Sequence, residues 1–572
     1  MRQIVALLAC ILLLGCASPQ PVYHGGAVAA DQPVASQAGA RMLVLGGNAV
    51  DAAVATSFAL SVTDPFSCGV GGGGFMLVYA PPRDGAPAIE AVLNYREVAP
   101  AAVDASFYVD QPLDDASRIG GTASGVPGTV AGLYEAHRRW GTLPWAQVLQ
   151  PAIDAAHDGV VVNQAWVNAA DWLEGAREDD ENLRHVSAWI WDHLCGGGDL
   201  AVGDVVKQPA KARLLRLIAE DGARAFYTGP VAEAISAASH AHGGVLQAED
   251  LAAYRVQPLQ PLSADDVFGR WRVLAMPPPS SGGIASIQTL RMVSARWADL
   301  SKPGPDDPAF LHLLASAMQR AFADRARWLA DGTFAPVPVH ALLDRDRLHA
   351  AAQRIDLQTA ADPVGVYVLP PADDVGTSHL CVVDANGMAV ACTETINYLW
   401  GSCVAVPQWG IVLNNEMDDF TTRPGEANIY GLVQSDRNAP QPGKRPLSSM
   451  SPTIVLESDR VRLVAGASGG PRIISATIKA IIDVLQFGMT PVEALEQGRV
   501  HQQWQPDVLW LESDRFDVGV HEALRQRGWD VRERSGMGVE QLIEVAADGG
   551  IMPASDPRKG GAPAGVMDPP TK

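Results

Sequence analysis

The chain has 572 residues, of which 47% are hydrophobic and 19% are charged, so it is a globular protein with one large core or several. Its formal net charge of −21 argues against nucleic acid as a partner. The spacing of its cysteines and histidines matches no metal-binding pattern, and we expect neither a metal nor a cofactor.

The N-terminus has the pattern of an export signal. Arg2 precedes an apolar stretch, Ile4 to Leu14, which is too short to span a membrane as a helix. The stretch ends in Leu13-Leu14-Gly15-Cys16, which resembles a bacterial lipoprotein signal. The resemblance implies that residues 1–16 are the signal and that Cys16 becomes the lipidated first residue of a periplasmic, membrane-anchored protein. A plain signal peptide, cut near Ala17, is the alternative.

Helical and strand patterns alternate at the start of the exported part. A helical pattern from Ala38 is interrupted by Gly46-Gly47-Asn48 and resumes over Ala49–Leu60. The glycines from Gly69 to Gly74 fit the GxGxxG dinucleotide fingerprint, but they lead into a predicted strand, Phe75–Tyr79, where that fingerprint requires a helix. We therefore predict close backbone packing here and no nucleotide.

Between residues 89 and 330 the pattern is mainly helical. A lone cation, Arg96, lies at or near the end of a predicted strand, Ile89–Leu93. Pro277–Gly283 is predicted to be a rigid turn that leads into a helix, and residues 165–205 have the least regular pattern. Further helices are predicted from Thr129 onward and over Phe310–Ala330, and helices with turns between them are predicted over Trp140–Gln164 and Leu214–Ser239.

The stretch from Asp374 to Phe420 contains the chain's hairpin signal. Two apolar, β-rich runs, Leu380–Val383 and Met388–Cys392, flank Asp384-Ala385-Asn386-Gly387. Asn-Gly between two such runs is typical of a tight β-turn. The sequence therefore predicts a hairpin, and an ordinary hairpin that merely carries hydroxyl groups is the alternative to a functional one.

The register of this hairpin depends on the length of its loop. A three-residue loop, Ala385-Asn386-Gly387, sets Thr377 opposite Thr395, and Asn397 then shares a face with Thr395. A two-residue loop shifts the register by one residue and puts Thr395 on the other face. Whether these polar side chains meet therefore depends on the length of the loop, and we favour the three-residue loop.

A long loop rich in proline and glycine is predicted over residues 424–446, and such loops often act as lids. Ser448 and Ser449 follow this loop directly. The next predicted strand is Thr453–Leu456.

The segment Arg462–Pro471 runs from a predicted strand into a predicted helix and contains a GxSxG motif centred on Ser468. The motif and its context match the nucleophile elbow of serine hydrolases, for which Asp507 with His501 or His521 would supply the acid and the base. The alternative is a glycine-rich turn whose backbone N–H groups form an anion site at a helix N-terminus.

Eight motif-like segments occur in order along the chain: GGNAVDAAVA (Gly46–Ala55), GVGGGGFMLVY (Gly69–Tyr79), GVPGTVAGL (Gly125–Leu133), AFYTGPVAEAI (Ala225–Ile235), TSHLCVVD (Thr377–Asp384), LNNEMDDF (Leu413–Phe420), KRPLSSMSPTI (Lys444–Ile454) and GASGGPRII (Gly466–Ile474). Together they resemble the gamma-glutamyltransferase family (gamma-glutamyl transpeptidase, glutathione hydrolase) over nearly all of residues 25–565, with a weaker match over 165–205. The resemblance implies an α+β fold, the four-layer αββα sandwich of N-terminal nucleophile hydrolases.

The resemblance also implies a precursor that cleaves itself between Gly376 and Thr377. The products would be a large subunit, residues 17–376, and a small catalytic subunit, residues 377–572, which form a heterodimer. Thr377 would be the nucleophile and its freed α-amine the base, because an α-amino pKa of about 7.7–8.0 lies near neutrality. Thr395 would orient the Thr377 hydroxyl, and the oxyanion would be bound by the backbone N–H groups of Gly469 and Gly470.

The same resemblance implies a γ-glutamyl substrate such as glutathione, with water, an amino acid or a peptide as the acceptor. The γ-glutamyl head group carries a carboxylate and an ammonium, so its site must offer both signs of charge. Arg96 would bind the carboxylate, assisted by Ser448 and Ser449. The residues implied for the ammonium are Asn397, Glu416 and Asp419.

The sequence thus predicts an exported γ-glutamyl hydrolase or transferase. A cephalosporin or glutaryl acylase of the same fold is one alternative, although such an enzyme would not need an ammonium site. A serine hydrolase that uses Ser468 is a second alternative. A non-enzymatic surface lipoprotein that binds peptides is a third.

Overall fold

The computed structural model describes residues 20–83, 85–109, 111, 115–361, 376–423 and 425–568. Cys16 and the rest of the predicted signal therefore lie outside the described residues, as do Asp374 and Val375. Of the helices in these ranges, none has both the length and the apolar character that crossing a membrane requires.

The strands of the described residues are numbered in chain order: β1 Gly26–Ala30, β2 Gly73–Ala80, β3 Ile89–Asn94, β4 Val160–Val161, β5 Val205–Val206, β6 Gln257–Leu259, β7 Leu262–Val267, β8 Trp271–Ala275, β9 Ser378–Asp384, β10 Ala389–Thr395, β11 Ala405–Val406, β12 Ile411–Val412, β13 Thr453–Glu457, β14 Arg460–Ser468, β15 Val500–His501, β16 Leu509–Glu512, β17 Val531–Arg534, β18 Val539–Val545, β19 Ile551–Ser555 and β20 Ala564–Val566.

The α-helices are numbered in the same way: α1 Pro33–Val44, α2 Ala49–Thr63, α3 Thr129–Trp140, α4 Trp145–Asp158, α5 Gln164–Glu178, α6 Glu181–Val186, α7 Ala188–Leu194, α8 Pro209–Asp221, α9 Arg224–Tyr227, α10 Pro230–Ala241, α11 Ala248–Ala253, α12 Gly282–Arg296, α13 Pro308–Trp328, α14 Val339–Leu342, α15 Arg345–Gln353, α16 Arg472–Leu485, α17 Pro491–Glu496 and α18 Val518–Gln526.

Two antiparallel sheets form the centre of the molecule. Sheet I has the strand order β20-β1-β9-β10-β2-β3-β6, and sheet II has the order β19-β18-β14-β13-β8-β7. The two sheets face each other, with β14 against β9 and β10. Helices α1 and α2 pack against sheet I, whereas α12 and α16 pack against sheet II. The predicted α+β fold, an αββα sandwich, is confirmed.

Alternate residues of the central strands are buried in two different layers. Phe75 and Leu77 of β2 lie between the two sheets together with Val464 of β14. Met76 and Val78, which point to the opposite face of the same strand, pack in the larger core that includes the helices. Because both faces are buried, apolar residues run continuously along this strand and do not alternate with polar ones.

The β9–β10 hairpin has the predicted three-residue loop. Glu394 pairs with Ser378, and this register sets Thr377 opposite Thr395. Gly387 has φ 80°, in the left-handed region, as the loop requires. The predicted register is therefore confirmed.

The interruption of the first helical pattern is also confirmed. The side chain of Asn48 accepts hydrogen bonds from the N–H groups of Val50 and Asp51 at 2.9 and 3.1 Å, and so caps α2. The glycine-rich segment that follows α2 serves close packing, as predicted. A Cβ atom at Gly72 would lie 2.0 Å from the carbonyl oxygen of Thr395, so only glycine fits beside that strand.

Residues 165–205, whose pattern is the least regular in the sequence, contain most of α5 and all of α6 and α7. Short helices give weak periodicity, and here tertiary contacts hold them. Asn163 caps α5 by accepting from Trp166 N–H at 3.0 Å, and the buried Trp166 side chain donates to the carbonyl of Leu194 at 2.9 Å. The second contact joins the first of these helices to the last residue of the third.

Candidate active site

Thr377 lies directly before β9, at the open end of the hairpin. Its hydroxyl oxygen is 2.9 Å from the hydroxyl oxygen of Thr395, the last residue of β10. Thr395 Oγ1 also accepts a hydrogen bond from the N–H of Asn397 at 2.7 Å. Two buried hydroxyl groups are thus held in contact at one end of the hairpin, as the predicted register requires.

The backbone at Thr377 is strained. Its φ of 81° lies in the left-handed region, which a β-branched residue rarely adopts. Two contacts hold this conformation. Thr377 N–H donates to the carbonyl of Ser67 at 3.2 Å, and the Thr377 carbonyl accepts from the ammonium of Lys559 at 2.9 Å.

The residue before Thr377 must be glycine for a steric reason. A Cβ atom at Gly376 would lie 2.1 Å from the carbonyl oxygen of Asn397, far inside van der Waals contact. The backbone of the Gly376–Thr377 peptide is therefore packed tightly against the segment that follows β10.

One cavity brings together nine of the ten residues predicted to be catalytic or substrate-binding. Gly469, the tenth, is adjacent to a lining residue, Gly470. Tyr430, Met450 and Ile473 complete the lining without having been predicted. The nine predicted residues are Arg96, Thr377, Thr395, Asn397, Glu416, Asp419, Ser448, Ser449 and Gly470.

Arg96 is buried and in contact with two of the predicted acids. Its guanidinium contacts the carboxylate of Glu416, and its Nη2 is 2.5 Å from Asp419 Oδ2. Its Nε also donates to the carbonyl of Pro446 at 3.3 Å. The cation and the acids that were predicted to hold opposite ends of one ligand are therefore in direct contact with each other.

The cluster contains one basic side chain and three acidic ones. Burial acts to lower the pKa of Arg96, but the carboxylates of Glu416, Asp419 and Glu97 outweigh it and raise that pKa. Burial raises the pKa of Glu416 and of Asp419, and it raises the pKa of Glu97 to about 7 against the opposing effect of Arg96. Because three buried acids share one cation, a further positive charge beside them would favour their ionised forms.

The acidic residues are positioned by a short helical turn. Glu416–Asp419 form one 3-10 turn, and Asn414 fixes its start. The Oδ1 of Asn414 accepts from the N–H groups of Gly125 and Glu416 at 2.9 and 3.1 Å, while its Nδ2 donates to the carbonyl of Gly71 at 2.8 Å. The glycine-rich segment before β2 thus anchors the acidic turn.

The serine pair is held by the turn predicted over Pro277–Gly283. The N–H and the hydroxyl of Ser281 both donate to the carbonyl of Ser448, at 2.8 and 2.6 Å. Ser448 N–H donates to the carbonyl of Pro279 at 2.9 Å. These backbone contacts set Ser448 and Ser449 in the cavity wall.

The sequence suggested that Asn397 shares a strand face with Thr395. In the structure a turn after the strand brings Asn397 to the cavity instead. β10 ends at Thr395, and Asn397 has φ 77°. Tyr430, from the loop predicted over residues 424–446, donates its hydroxyl to the Asn397 carbonyl at 2.6 Å. From the same loop, Asn428 Nδ2 donates to Asp419 Oδ1 at 3.0 Å. The described part of this loop therefore forms one side of the site.

The glycine-rich turn between β14 and α16 faces the same cavity through Gly470. Gly469 and Gly470 have φ values of 123° and 52°, which glycine adopts without steric cost. Pro471 is the N-cap of α16, which begins at Arg472. Backbone N–H groups at such a turn suit the binding of an anionic oxygen.

The histidines that the serine-hydrolase hypothesis requires are bonded elsewhere. His501 Nδ1 is 2.5 Å from Ser475 Oγ, and its Nε2 is 2.8 Å from Gln503 Oε1. His521 Nε2 is 3.0 Å from Glu533. Burial lowers the pKa of His501 to about 3. The structure therefore offers the serine of the GxSxG motif no general base from either histidine.

Three residues contribute to the site without any local signal in the sequence. Ser67 contacts Thr377 through its backbone carbonyl, and Tyr430 lies in a loop without regular pattern. Lys559 is 182 residues away from Thr377 along the chain. No spacing rule relates residues this far apart, so only the fold could reveal these contacts.

Relatives of similar sequence match almost the whole chain. The glutathione hydrolase proenzyme of Pseudomonas aeruginosa is 40% identical over 544 residues, which cover 93% of this chain and 93% of that protein. The glutathione hydrolase proenzyme of Escherichia coli K12 is 39% identical over 538 residues, which cover 93% of this chain and 90% of that protein.

A solved structure and a family model extend these likenesses. The cephalosporin acylase from Bacillus halodurans superimposes with a TM-score of 0.80 and 27% identity, covering 97% of this chain and 99% of that one. The family model described as gamma-glutamyltranspeptidase matches residues 35–566. With most of its length matched by that model and by relatives of about 40% identity, the chain belongs to the gamma-glutamyltranspeptidase family.

Proposed function

We propose that this protein hydrolyses or transfers the γ-glutamyl group of glutathione and related amides through an ester on Thr377. One observation carries the proposal: the Thr377 hydroxyl lines the same cavity as Arg96, Glu416 and Asp419. A γ-glutamyl head group has an α-carboxylate and an α-ammonium, and this cavity offers both signs of charge. The glutathione hydrolase proenzymes of two bacteria, similar over almost the whole chain, support the same activity.

Self-cleavage would make the nucleophile available. Thr377 Oγ1 attacks the carbonyl carbon of Gly376, the C–N bond breaks, and the hydroxyl proton passes to the Thr377 nitrogen. Water then hydrolyses the resulting ester and releases Gly376 as a carboxylate and Thr377 with a free hydroxyl and a free α-amine. The left-handed backbone of Thr377 supports this step, because cleavage relieves the strain.

The two fragments, residues 17–376 and 377–572, are expected to stay associated as a heterodimer. Sheet I takes β1, β2, β3 and β6 from the first fragment and β9, β10 and β20 from the second. Sheet II takes β7 and β8 from the first fragment and β13, β14, β18 and β19 from the second. Separation would expose the apolar layer between the sheets, which is strongly unfavourable in water.

Turnover would use the groups around Thr377. The free α-amine accepts the hydroxyl proton, since an α-amino pKa of about 7.7–8.0 lies near neutrality. Thr395 orients the hydroxyl through the 2.9 Å contact. The N–H groups of Gly469 and Gly470 bind the oxyanion, the amine product leaves, and water or an acceptor amine then attacks the γ-glutamyl ester.

The charge cluster would hold the head group. A guanidinium has five N–H donors. Within the described residues, Arg96 directs three of them to the Pro446 carbonyl, Glu416 and Asp419. Two donors remain for the α-carboxylate. The hydroxyls of residues 448–449 add to this side. The excess of buried acids attracts the α-ammonium, with Asn397 beside them.

An acylase for glutaryl side chains is the second candidate, favoured by the structural likeness to a cephalosporin acylase. A glutaryl group lacks the α-ammonium, so it leaves Glu416 and Asp419 without a ligand. The two candidates are separated by comparing kcat/KM for a γ-glutamyl anilide and a glutaryl anilide. We expect the γ-glutamyl compound to be preferred, and a preference for the glutaryl compound would favour the acylase.

We also propose that the protein is exported to the periplasm and anchored by a lipid on Cys16. The support is the sequence Leu13-Leu14-Gly15-Cys16 at the end of a short apolar stretch. One lipid-modified cysteine would hold the enzyme at the membrane surface without a membrane-spanning helix.

A further inference from the structure

Lys559 is a buried cation whose ammonium group contacts the backbone of the proposed nucleophile. Its Nζ is 2.9 Å from the Thr377 carbonyl oxygen and 3.1 Å from the hydroxyl of Ser378. The residue is only 7% exposed. An ammonium group has three N–H donors, and a charge-assisted bond to a carbonyl is stronger than a neutral one.

Two carboxylates hold this ammonium in place. Nζ is 2.8 Å from Asp31, at the end of β1, and 2.9 Å from Asp64, at the end of α2. Burial acts to lower the pKa of Lys559, but Asp31 and Asp64 outweigh it and raise that pKa, so the side chain stays charged.

The two carboxylates are themselves fixed. Gln541 Nε2 donates to Asp31 Oδ1 at 2.7 Å, and Gln32 Nε2 donates to Asp64 Oδ1 at 2.7 Å. Gln541 belongs to β18 of sheet II, whereas Asp31 adjoins β1 of sheet I. Through these carboxylates the ammonium is connected to both sheets of the sandwich, so it is a rigid hydrogen-bond donor to the Thr377 carbonyl.

Before cleavage, Thr377 needs such a support because its left-handed backbone is unfavourable. In the intact chain, the Gly376–Thr377 peptide continues the backbone on the N-terminal side. Once that bond is cut, two hydrogen bonds hold the main chain of Thr377. Its nitrogen is bonded to the Ser67 carbonyl, and its carbonyl is bonded to the Lys559 ammonium. Losing the bond on the carbonyl side would let the residue turn and move its hydroxyl away from Thr395.

We propose that Lys559 is a positioning residue for Thr377, which holds the nucleophile's main chain in place during self-cleavage and during turnover. The inference rests on the proposed function and deepens it. Lys559 acts on the carbonyl of Thr377, not on the substrate or on the Gly376 carbonyl. Its loss should therefore reduce the rates of both reactions and leave the affinity for the γ-glutamyl head group unchanged.

The test uses full-length Lys559→Met, in which a side chain of similar length lacks the charge and the donors. We expect the cleavage of Gly376–Thr377, followed by mass spectrometry, to slow by about 10- to 100-fold, because misplacement of reacting groups by about 1 Å has effects of that size. The kcat of the cleaved fraction with a γ-glutamyl anilide should fall by a similar factor. KM should stay within about twofold, because the head-group residues are untouched.

A second variant distinguishes the loss of the hydrogen bond to Thr377 from the change in net charge of the buried cluster. In the wild type, Lys559, Asp31 and Asp64 carry a summed charge of −1, and Lys559→Met/Asp64→Asn restores that sum without restoring a donor to Thr377. We expect this double variant to be folded, as judged by Tm, and still slow. Recovery of wild-type cleavage and kcat in the double variant would overturn the proposal, since charge balance alone would then explain the defect.

Arg558→Met is the matched control, because Arg558 is the neighbouring, partly buried cation and pairs with Glu512 and Asp556. It should lower Tm and leave the kcat of the cleaved enzyme unchanged. An equal fall in kcat in this control, or a raised KM with unchanged kcat in Lys559→Met, would also overturn the proposal. Failure of the proposed function itself would look different, because wild type would then remain uncut at Gly376–Thr377.

Discussion

The hydroxyl oxygens of Thr377 and Thr395 lie 2.9 Å apart at the end of the β9–β10 hairpin. The contact exists because a three-residue loop sets the register, so that the residue before β9 stands opposite the last residue of β10. A register shifted by one residue would turn Thr395 to the other face of the sheet and break the contact. The chemistry proposed for Thr377 therefore depends on a loop of three residues at the far end of the same hairpin.

Self-cleavage should depend on the Thr377 hydroxyl. Thr377→Ala removes the attacking oxygen, so we expect a single uncut chain without turnover, as seen by electrophoresis and mass spectrometry. Thr377→Ser keeps an oxygen and should still be cut, more slowly, and the small fragment of wild type should begin Thr-Ser-His-Leu-Cys. Ser468→Ala serves as the control, because only the backbone of its turn is needed. Cutting and activity in Thr377→Ala, with an inactive Ser468→Ala, would favour the serine hydrolase.

Arg96→Lys should weaken substrate binding. Lysine keeps the charge that balances Glu416 and Asp419, but it loses the planar set of donors needed to bind a carboxylate with two parallel bonds. Loss of a charge-assisted bond costs about 1.5–3 kcal/mol, so KM for a γ-glutamyl anilide should rise by about ten- to a hundredfold. A wild-type KM would remove Arg96 from the head-group site.

Asp419→Asn should change substrate preference. We expect a larger loss of kcat/KM for a γ-glutamyl anilide than for a glutaryl anilide, because only the first carries an ammonium that the carboxylate attracts. Asp418→Asn is the matched control, since the Asp418 carboxylate is bound by Ser117 and the backbone of Ile429. It should affect both substrates alike. Equal losses on both substrates in Asp419→Asn would argue against an ammonium site.

Glu394 should make stability depend on pH. Burial raises its pKa to about 7, against the hydrogen bonds from Ser57 and Tyr95, which act to lower it. Between an unfolded pKa of about 4.3 and this value, the folded state keeps a proton that the unfolded state has lost, so the free energy of unfolding falls as pH rises. The contribution is about 4 kcal/mol, because the two pKa values differ by about 2.7 units and each unit corresponds to about 1.4 kcal/mol.

Glutamine does not titrate, so Glu394→Gln should lack this fall in the free energy of unfolding with rising pH. Relative to wild type, its Tm should rise from pH 5 to about pH 7 and level off above that pH. Glu220→Gln, at an exposed position, is the control and should follow wild type across the same range. A constant difference between Glu394→Gln and wild type would show that Glu394 does not hold a proton in the folded state.

The lipid anchor is tested at Cys16. Cys16→Ser removes the thiol that would be lipidated, so the enzyme should move from the membrane fraction to the soluble periplasmic fraction and keep its hydrolase activity. Fractionation followed by an activity assay measures both. An unchanged membrane fraction would rule out attachment through Cys16.

Local features of the sequence determined the elements of the fold that carry the site. The Asn-Gly loop set the hairpin register, Asn48 marked the start of α2, and the glycine-rich segment led into a strand, all as predicted. These features depend on turn chemistry, capping and steric fit between residues close in the chain. The αββα arrangement and the residues proposed for the site followed from the family resemblance, which rests on eight motif-like segments that occur in order along the chain.

Only the tertiary structure decided which distant residues meet. Arg96 and Glu416, 320 positions apart, are in direct contact, although the sequence suggested that they bind opposite ends of a ligand. Lys559 reaches the Thr377 carbonyl from near the end of the chain. Such contacts arise because two sheets pack face to face and bury their loops together, and no local spacing encodes that approach. The burial that raises the pKa of Glu97 and Glu394 has the same origin, since it depends on what surrounds a side chain and not on its neighbours in sequence.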